Sequence, residues 1–370
     1  MPNVVAETAA ASAEKSAAAI RNALEYLAAR QGEDGGWHSQ TYGSLRGGAA
    51  TTAMVLYAAA HVDEKLRGVH GRRWRRGGEF LTRGIDEQGC PRNPDGSLDY
   101  PTYVAALLLP AASRLKLDVG RDVRRRVVDY LLAAQLADSR GFEAESPHYG
   151  GWELTGDLRM RGVTTGANIS VTCFALEAVS AEKSDAANAA RKRAFAWLAR
   201  CQNLPGDGGF FFQADRDNDA NKALWTDARH ESPRSYGTAT CDGLRALLAT
   251  GVKSTDPRVA AAVAWLDERR SLDVVPGFPA ESPADPTTGE AEPFAQWPKA
   301  LRFYYYATLA RTLDALPAES REKRREQLHA HVISLHRDDG RWENDVHHMR
   351  ENDPLIATSL ALVALISPDS

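Results

Sequence analysis

The sequence predicts an all-α fold, an (α/α)6 toroid in which six helical hairpins form an inner and an outer ring of helices. Three observations predict it. A helix running into a Gly-containing turn recurs six times at roughly even spacing, closing on an aromatic in five copies and on Cys90 in the weakest, so a repeat architecture has to be settled before any motif is interpreted. Each copy is followed by a second helix framed by Thr or Tyr and a Leu four residues later, which places both on one helical face. The two helix types also differ in chemistry. First helices carry charge along one side, as in Arg191 and Arg193 or Arg321, Lys323, Arg324 and Arg325, whereas second helices such as 104–112, 170–179 and 356–366 are apolar or small all round. A helix that is apolar on every side must be buried on every side. Six wet and six dry helices therefore suggest a closed ring with the dry ones inside, which needs no polar end caps. An open superhelix of the tetratricopeptide kind fits less well, because these repeats are longer and their loops uneven.

The elements follow in order. Residues 1–16 are Ala-rich and read as a flexible N-terminal tail or a poorly anchored helix, without the basic start and apolar core of a secretory signal. Residues 17–370 read as one toroid domain, with no composition shift to divide it. The first copy is Tyr26 to Trp37, with Gln31, Asp34, Gly35 and Gly36 before the aromatic. The second, Phe80–Arg83, closes on Gly89-Cys90. The third, Tyr130–Gln135, closes on Gly141-Phe142. The fourth, Trp197–Gln202, closes on Asp207-Gly208-Gly209-Phe210. The fifth, Trp265-Leu266, closes on Gly277-Phe278, and the sixth, Val332–Leu335, on Gly340-Arg341-Trp342. The second helices carry Thr52/Leu56, Tyr103/Leu107, Thr172/Leu176, Thr240/Leu244, Tyr305/Leu309 and Thr358/Leu362. Four long linkers, 91–100, 146–165, 211–236 and 276–298, all fall between a first helix and its second helix. They crowd one end of the ring and are placed to build a mouth.

The bulk numbers exclude several classes. A formal charge of -4 leaves no basic footprint for nucleic acid, and the Arg-rich runs 72–76 and 124–126 sit among helix formers as solvated faces. No apolar run approaches a membrane span. Cys90, Cys173, Cys201 and Cys241 are far apart, without a Cys-x-x-Cys pair, which fits a reducing, cytoplasmic setting. Asp215 to Asp219 alternates carboxylates like a calcium loop but has Ala220 and Thr226 where Gly and Glu would be needed.

The stretches Gln31–Trp37, Gln135–Phe142 and Gln202–Phe210 resemble the Gln-Trp repeats of the terpenoid cyclase and protein prenyltransferase superfamily, and helices such as Thr358–Ala364 resemble its inner helices. The likeness covers about residues 20–366 and implies a barrel of six inner and six outer helices. It also implies one of two chemistries, and neither signature is intact. A squalene-hopene type of cyclase carries Asp-x-Asp-Asp before an inner-helix Thr, but here the positions before the slots are Ala50-Thr51, Ser170-Val171, Thr238-Ala239 and Ile356-Ala357. Glu351-Asn352-Asp353-Pro354 is the nearest acidic match, displaced to the mouth of the sixth inner helix. The farnesyltransferase type carries a zinc triad, yet Cys241 and Asp242 follow their slot and Ala357 stands where a His would be. No metal and no cofactor is expected.

The candidate site residues are therefore those that fall at inner-helix starts or in mouth loops. Asp242 and Asp353 are the candidate catalytic acids. Asp242 sits in an otherwise apolar helix, where a carboxylate must be paired or protonated, and Arg245 is its obvious partner. Tyr100, Tyr103, Asn168, Tyr236, Trp297, Arg302, Tyr305 and His348 are the candidate cavity lining, since aromatic faces stabilise cations or line an apolar cleft. The expected function is a terpenoid-cyclase-like protein with an apolar, aromatic cavity that binds or transforms an isoprenoid. The alternatives are a catalytically silent binding toroid and a carbohydrate-active (α/α)6 enzyme working with a carboxylate pair. A small hydrophobic ligand is the expected partner. Nothing in the sequence sets an oligomeric state.

Overall fold

The structure, a computed structural model, describes residues 2–365 except 205, 217–220, 227–231 and 280–295, with side chains from Glu14 onward. It is helical, and among the described residues the extended pairing is confined to isolated bridges such as Gln31 with Trp37 and Gln202 with Phe210. The outer helices are α1 (Pro2–Ala29), α4 (Gly71–Arg83), α6 (Arg121–Ala134), α8 (Asp185–Arg200), α10 (Pro257–Glu268) and α13 (Ala318–Ser334). The inner helices are α2 (Ala49–Ala60), α5 (Pro101–Arg114), α7 (Ile169–Val179), α9 (Gly237–Ala249), α12 (Arg302–Ala310) and α14 (Pro354–Ala364). Two short helices, α3 (Glu64–Arg67) and α11 (Trp297–Ala300), lie in connections. Helix α1 begins at Pro2 and so runs through most of the stretch expected to be a tail or a poorly anchored first helix.

Inner helices touch in the order α2, α5, α7, α9, α12, α14 and back to α2, which closes the ring. Outer α1 lies against both α13 and α14, bringing the first helix to the last hairpin. The leucines four residues after each slot, Leu56, Leu107, Leu176, Leu244, Leu309 and Leu362, are all buried. Their burial drives each inner helix inward, since a fully buried Leu contributes roughly 1.5–3 kcal/mol.

The repeat residues hold the hairpins by hydrogen bonds. The slot threonines accept from the backbone N–H of the turn aromatic: Trp37 to Thr52 at 2.8 Å, Trp152 to Thr172 at 3.0 Å, Phe210 to Thr240 at 3.0 Å and Trp342 to Thr358 at 3.1 Å. The indole N–H of Trp37, Trp152 and Trp342 donates at 2.7 Å to a carbonyl of its own outer helix. Gln31, Gln135 and Gln202 each donate to a turn carbonyl and to one on the next outer helix. These polar residues let buried backbone groups find partners where the helix stops. One closure differs from expectation. In the third hairpin the aromatic is Trp152, after Gly150-Gly151, not Phe142. Gly141 belongs to an inserted turn with the 3-10 segment Asp138–Arg140, which displaces the true closure along the chain.

The turn glycines carry the ring contacts. Gly35, Gly89, Gly150, Gly208 and Gly340 all have positive φ, and a Cβ on each would collide with the following outer helix, with the backbone at Arg76, Arg126, Arg193 and Asn22 and with the Cβ of Ala261 for Gly208. Only glycine allows both the left-handed backbone and that approach. The last of the five joins Gly340 to α1 and completes the circle.

Candidate functional site

The mouth loops lead into inner-helix N-termini, so the cavity opens at that end and deepens toward the helix C-termini. Its volume is about 430 Å³, and its wall comes from all six inner helices, a size within the usual range for small-molecule sites. An apolar and aromatic belt runs round it, including Met54, Tyr57, Leu107, Phe174, Leu360 and Val363. Phe174 meets Tyr57 and Tyr103 edge to face, with ring centroids 5.8 and 5.7 Å apart.

One polar network interrupts this belt, and Asp242 is its centre. Asp242 lies five residues into α9, about 7–8 Å below the mouth at 1.5 Å per residue, and is 1% exposed. Its Oδ1 accepts from Thr308 at 2.6 Å and from Arg245 at 3.0 Å, and its Oδ2 accepts from the Tyr304 hydroxyl at 2.6 Å. Tyr304 in turn is hydrogen-bonded to Ser170, which accepts from Tyr103 at 2.6 Å. A chain of hydroxyls from α5, α7 and α12 thus ends on the carboxyl of α9. Below it, Arg245 forks onto Glu177 at 3.0 and 2.7 Å, and Arg311 reaches the same Glu177 at 3.0 Å. Burial raises the Asp242 pKa, opposed by Arg245, Thr308 and Tyr304. Burial likewise raises Glu177 against Arg245, and Tyr304 well above an ordinary phenol, reinforced by Asp242.

A second acid, Glu351, faces the cavity from the last mouth loop. Its oxygens accept from the backbone N–H of Phe303 at 3.1 Å and of Tyr304 at 2.9 Å, at the start of α12, and from Asn344 at 2.8 Å. Burial still lifts its pKa to about 7.

No protein-family model matches the chain, and no curated protein matches it. Solved structures do. A variant of the type II terpene cyclase MstE from Scytonema, in complex with merosterolic acid A, superposes with a TM-score of 0.58 at 15% identity, over 96% of this chain and 97% of that one. Another MstE variant, in complex with geranylgeranyl dihydroxybenzoate, gives 0.54 at 15%, over 96% and 99%. A glycosidase variant in complex with glucose gives 0.53 at 14%, over 95% and 96%. The chain has the (α/α)6 toroid fold that these cyclase and glycosidase structures share. At these identities the likeness carries architecture and not chemistry.

Within this toroid, the structure places the expected residues unevenly. Tyr100, Tyr103, Asn168, Tyr236, Asp242 and His348 line the cavity. Asn168 also caps α7, accepting from Val171 N–H at 3.1 Å. Asp353 is outside the lining: it caps α14 through Leu355 N–H at 2.9 Å and takes the Ser39 hydroxyl. Tyr305 points away into the core, where its hydroxyl is buried without a partner. Arg302 lies over Phe303 and Trp297 against His348, both beside the lining rather than in it. Asp217 to Asp219 of the alternating acidic loop lie outside the described residues. Glu177, Thr308, Arg311, Lys222 and Arg350 escaped sequence reasoning. The first three had a signal, since each is a polar or charged residue in or just after an apolar inner helix. Lys222 and Arg350 sit in aperiodic loops and had none. Among the described residues no cluster could hold a metal ion, and no helix is long and apolar enough to cross a membrane.

Proposed function

We propose that the protein binds an isoprenoid chain in its central cavity and starts its cyclisation by protonating an alkene, with Asp242 as the acid. The observation that carries this reading is the setting of Asp242: a buried carboxyl in the wall of an apolar aromatic cavity, whose conjugate base already has three hydrogen-bond donors in place. Oδ1 is taken by Arg245 and Thr308, so protonation falls on Oδ2, the oxygen with a single donor. As that proton leaves for an alkene carbon, Arg245, Thr308 and Tyr304 stabilise the developing carboxylate without rearranging. Burial raises the pKa of the carboxyl and so favours its protonated form, against the pull of Arg245. The ring of Tyr103 is placed to stabilise the resulting carbocation, whereas Arg245 and Arg311 already lie over Phe174 and Arg311 over Tyr57; the hydroxyl chain Tyr103–Ser170–Tyr304 is a route by which a proton returns to Asp242. The complexes of MstE variants with a geranylgeranyl compound and with merosterolic acid A support an isoprenoid as the cargo of this architecture.

The glycosidase likeness supports a second reading, with Asp242 and Glu351 as the carboxylate pair. It is the weaker one, because both Glu351 oxygens are committed to backbone and Asn344 donors and the wall between is largely apolar. The deciding experiment incubates the purified protein with linear isoprenoids of increasing length, free and as diphosphates, and analyses products by gas chromatography and mass spectrometry. Cyclised product is expected, with Asp242→Asn lowering the rate by about 10²–10⁴-fold. A folded wild-type protein that cyclises none of them would overturn the reading and leave a binding toroid.

A further inference from the structure

We propose that Glu177 is a positioning residue for the acid: at the cavity floor it takes up the charge of Arg245 and Arg311, so that Asp242, and not Glu177, holds the proton. This rests on the reading of Asp242 as the acid.

Two carboxylates meet one guanidinium here, and the geometry divides it unequally. Arg245 sets Nε on Glu177 Oε1 at 3.0 Å and Nη2 on Oε2 at 2.7 Å, the fork that a planar guanidinium makes with an ionised carboxylate. Only Nη1 is left over, and it is divided between Asp242 Oδ1 at 3.0 Å and the Thr308 hydroxyl at 2.9 Å. Arg311, the first residue after α12, brings its Nη1 to 3.0 Å from Glu177 Oε2 without the alignment of a hydrogen bond. Arg311 therefore contributes charge rather than position. The Phe174 ring, with its centroid 5.0 Å from the Arg245 guanidinium and 5.8 Å from that of Arg311, helps to fix where both charges sit.

Burial divides the two carboxyls in the same sense. Water reaches Glu177 and Arg311, whose side chains are 24% and 19% exposed, but not Asp242 at 1%. A charge costs less where it is hydrated and paired, so the drier carboxyl keeps the proton. The floor then sets Arg245 and Arg311 against Glu177, two cations against one anion, and the protonation of Asp242 becomes sensitive to either neighbour. The other titratable groups around Asp242 are Tyr304 from α12, Tyr103 from α5, Tyr236 at the start of α9, Cys173 from α7, Cys241 beside it, and Lys222 from the α8–α9 linker. Burial holds these phenols and thiols above their ordinary range, so they stay neutral near pH 7. Lys222, which burial lowers to about 7, is common to every variant and leaves the sign of a difference intact.

The test titrates Asp242 directly and so does not depend on turnover. The C=O stretch of its protonated carboxyl is the infrared band absent from Asp242→Asn, followed in the full chain between pH about 4 and 9. In Glu177→Gln its midpoint should fall by at least about one pH unit, because Arg245 and Arg311 then act on Asp242 uncompensated. In Arg311→Gln, which removes a charge and breaks no hydrogen bond, it should rise by at least about 0.5 unit. Cyclisation should follow: Glu177→Gln about tenfold slower than wild type above the midpoint and recovering at low pH. A rate lowered equally at every pH, with the midpoint in place, is a merely structural effect and overturns the proposal. Equal midpoints in wild type and both variants overturn it while leaving Asp242 as the acid. If Glu177→Gln fails to fold, the direction of the Arg311→Gln shift decides alone. An Asp242 that is ionised across the whole range overturns both readings. The expected shifts in a protein that cyclises no isoprenoid uphold the charge assignment and overturn only the acid chemistry.

Discussion

Replacing Gln135 by Leu tests whether the repeat motif is structural, and its effect can be worked out from three contacts. The side chain is fully buried. Its amide donates to Gly150 O at 2.8 Å and Ala190 O at 2.9 Å, and its carbonyl accepts from Arg193 Nε at 2.9 Å. These bonds join one hairpin to the next outer helix. The neutral bonds contribute about 1 kcal/mol each and the charged one about 1.5–3, which gives a loss of roughly 3–5 kcal/mol. Leu has a similar volume and recovers about 1–2 kcal/mol through its apolar surface, so the net destabilisation is roughly 2–3 kcal/mol. For 370 residues, an unfolding entropy near 2.1 cal/mol/K per residue makes that a fall in Tm of about 3–4 °C. Differential scanning calorimetry at one scan rate measures it, with the exposed Lys183→Ala as a control that should stay within about 0.5 °C. A Q135L protein melting within about 1 °C of wild type would refute the claim that these glutamines tie hairpins together.

Three further outcomes follow from the same structure. Glu351 has a folded pKa of about 7 against an ordinary 4.5, so the folded state holds its proton more tightly. That contribution is full below pH about 4.5 and is lost as pH rises through about 7, a change of roughly 3 kcal/mol. Glu351→Gln should remove about 3–4 °C from the fall in Tm between pH 5 and 8; an unchanged profile would show that Glu351 is not the titrating group. His61, whose burial lowers its pKa to about 4, acts in the opposite sense below about pH 6.5 and is left untouched by that variant. Gly340→Ala puts a Cβ 2.6 Å from Asn22 O at a φ of +90°, and should destabilise by about 1–3 kcal/mol and expose α1 to proteolysis, whereas Gly43→Ala, with open space around it, should do neither. Tyr304→Phe removes the donor to Asp242 Oδ2 and should slow alkene protonation about 10–100-fold while leaving lipid affinity within about twofold; equal rates would remove Tyr304 from the acid's support.

The sequence by itself determined the hairpins, their number, and which helix of each is wet or dry, because those rest on periodicity within a few turns of chain. It also placed the long linkers at one end and singled out Asp242, since a carboxylate in an apolar helix is conspicuous without coordinates. It misplaced the third closure at Phe142, because the nearest Gly-aromatic pair belongs to an insertion and only packing against α7 selects Trp152. It ranked Asp353 beside Asp242, although helix capping and cavity exposure differ by only a side-chain direction. Tertiary structure alone decided which contact closes the expected ring, Gly340 against α1, and that Tyr103, Ser170, Tyr304 and Asp242 form one chain. Those partners come from four different inner helices, and their adjacency is set by the circumference of the ring rather than by any spacing along the chain.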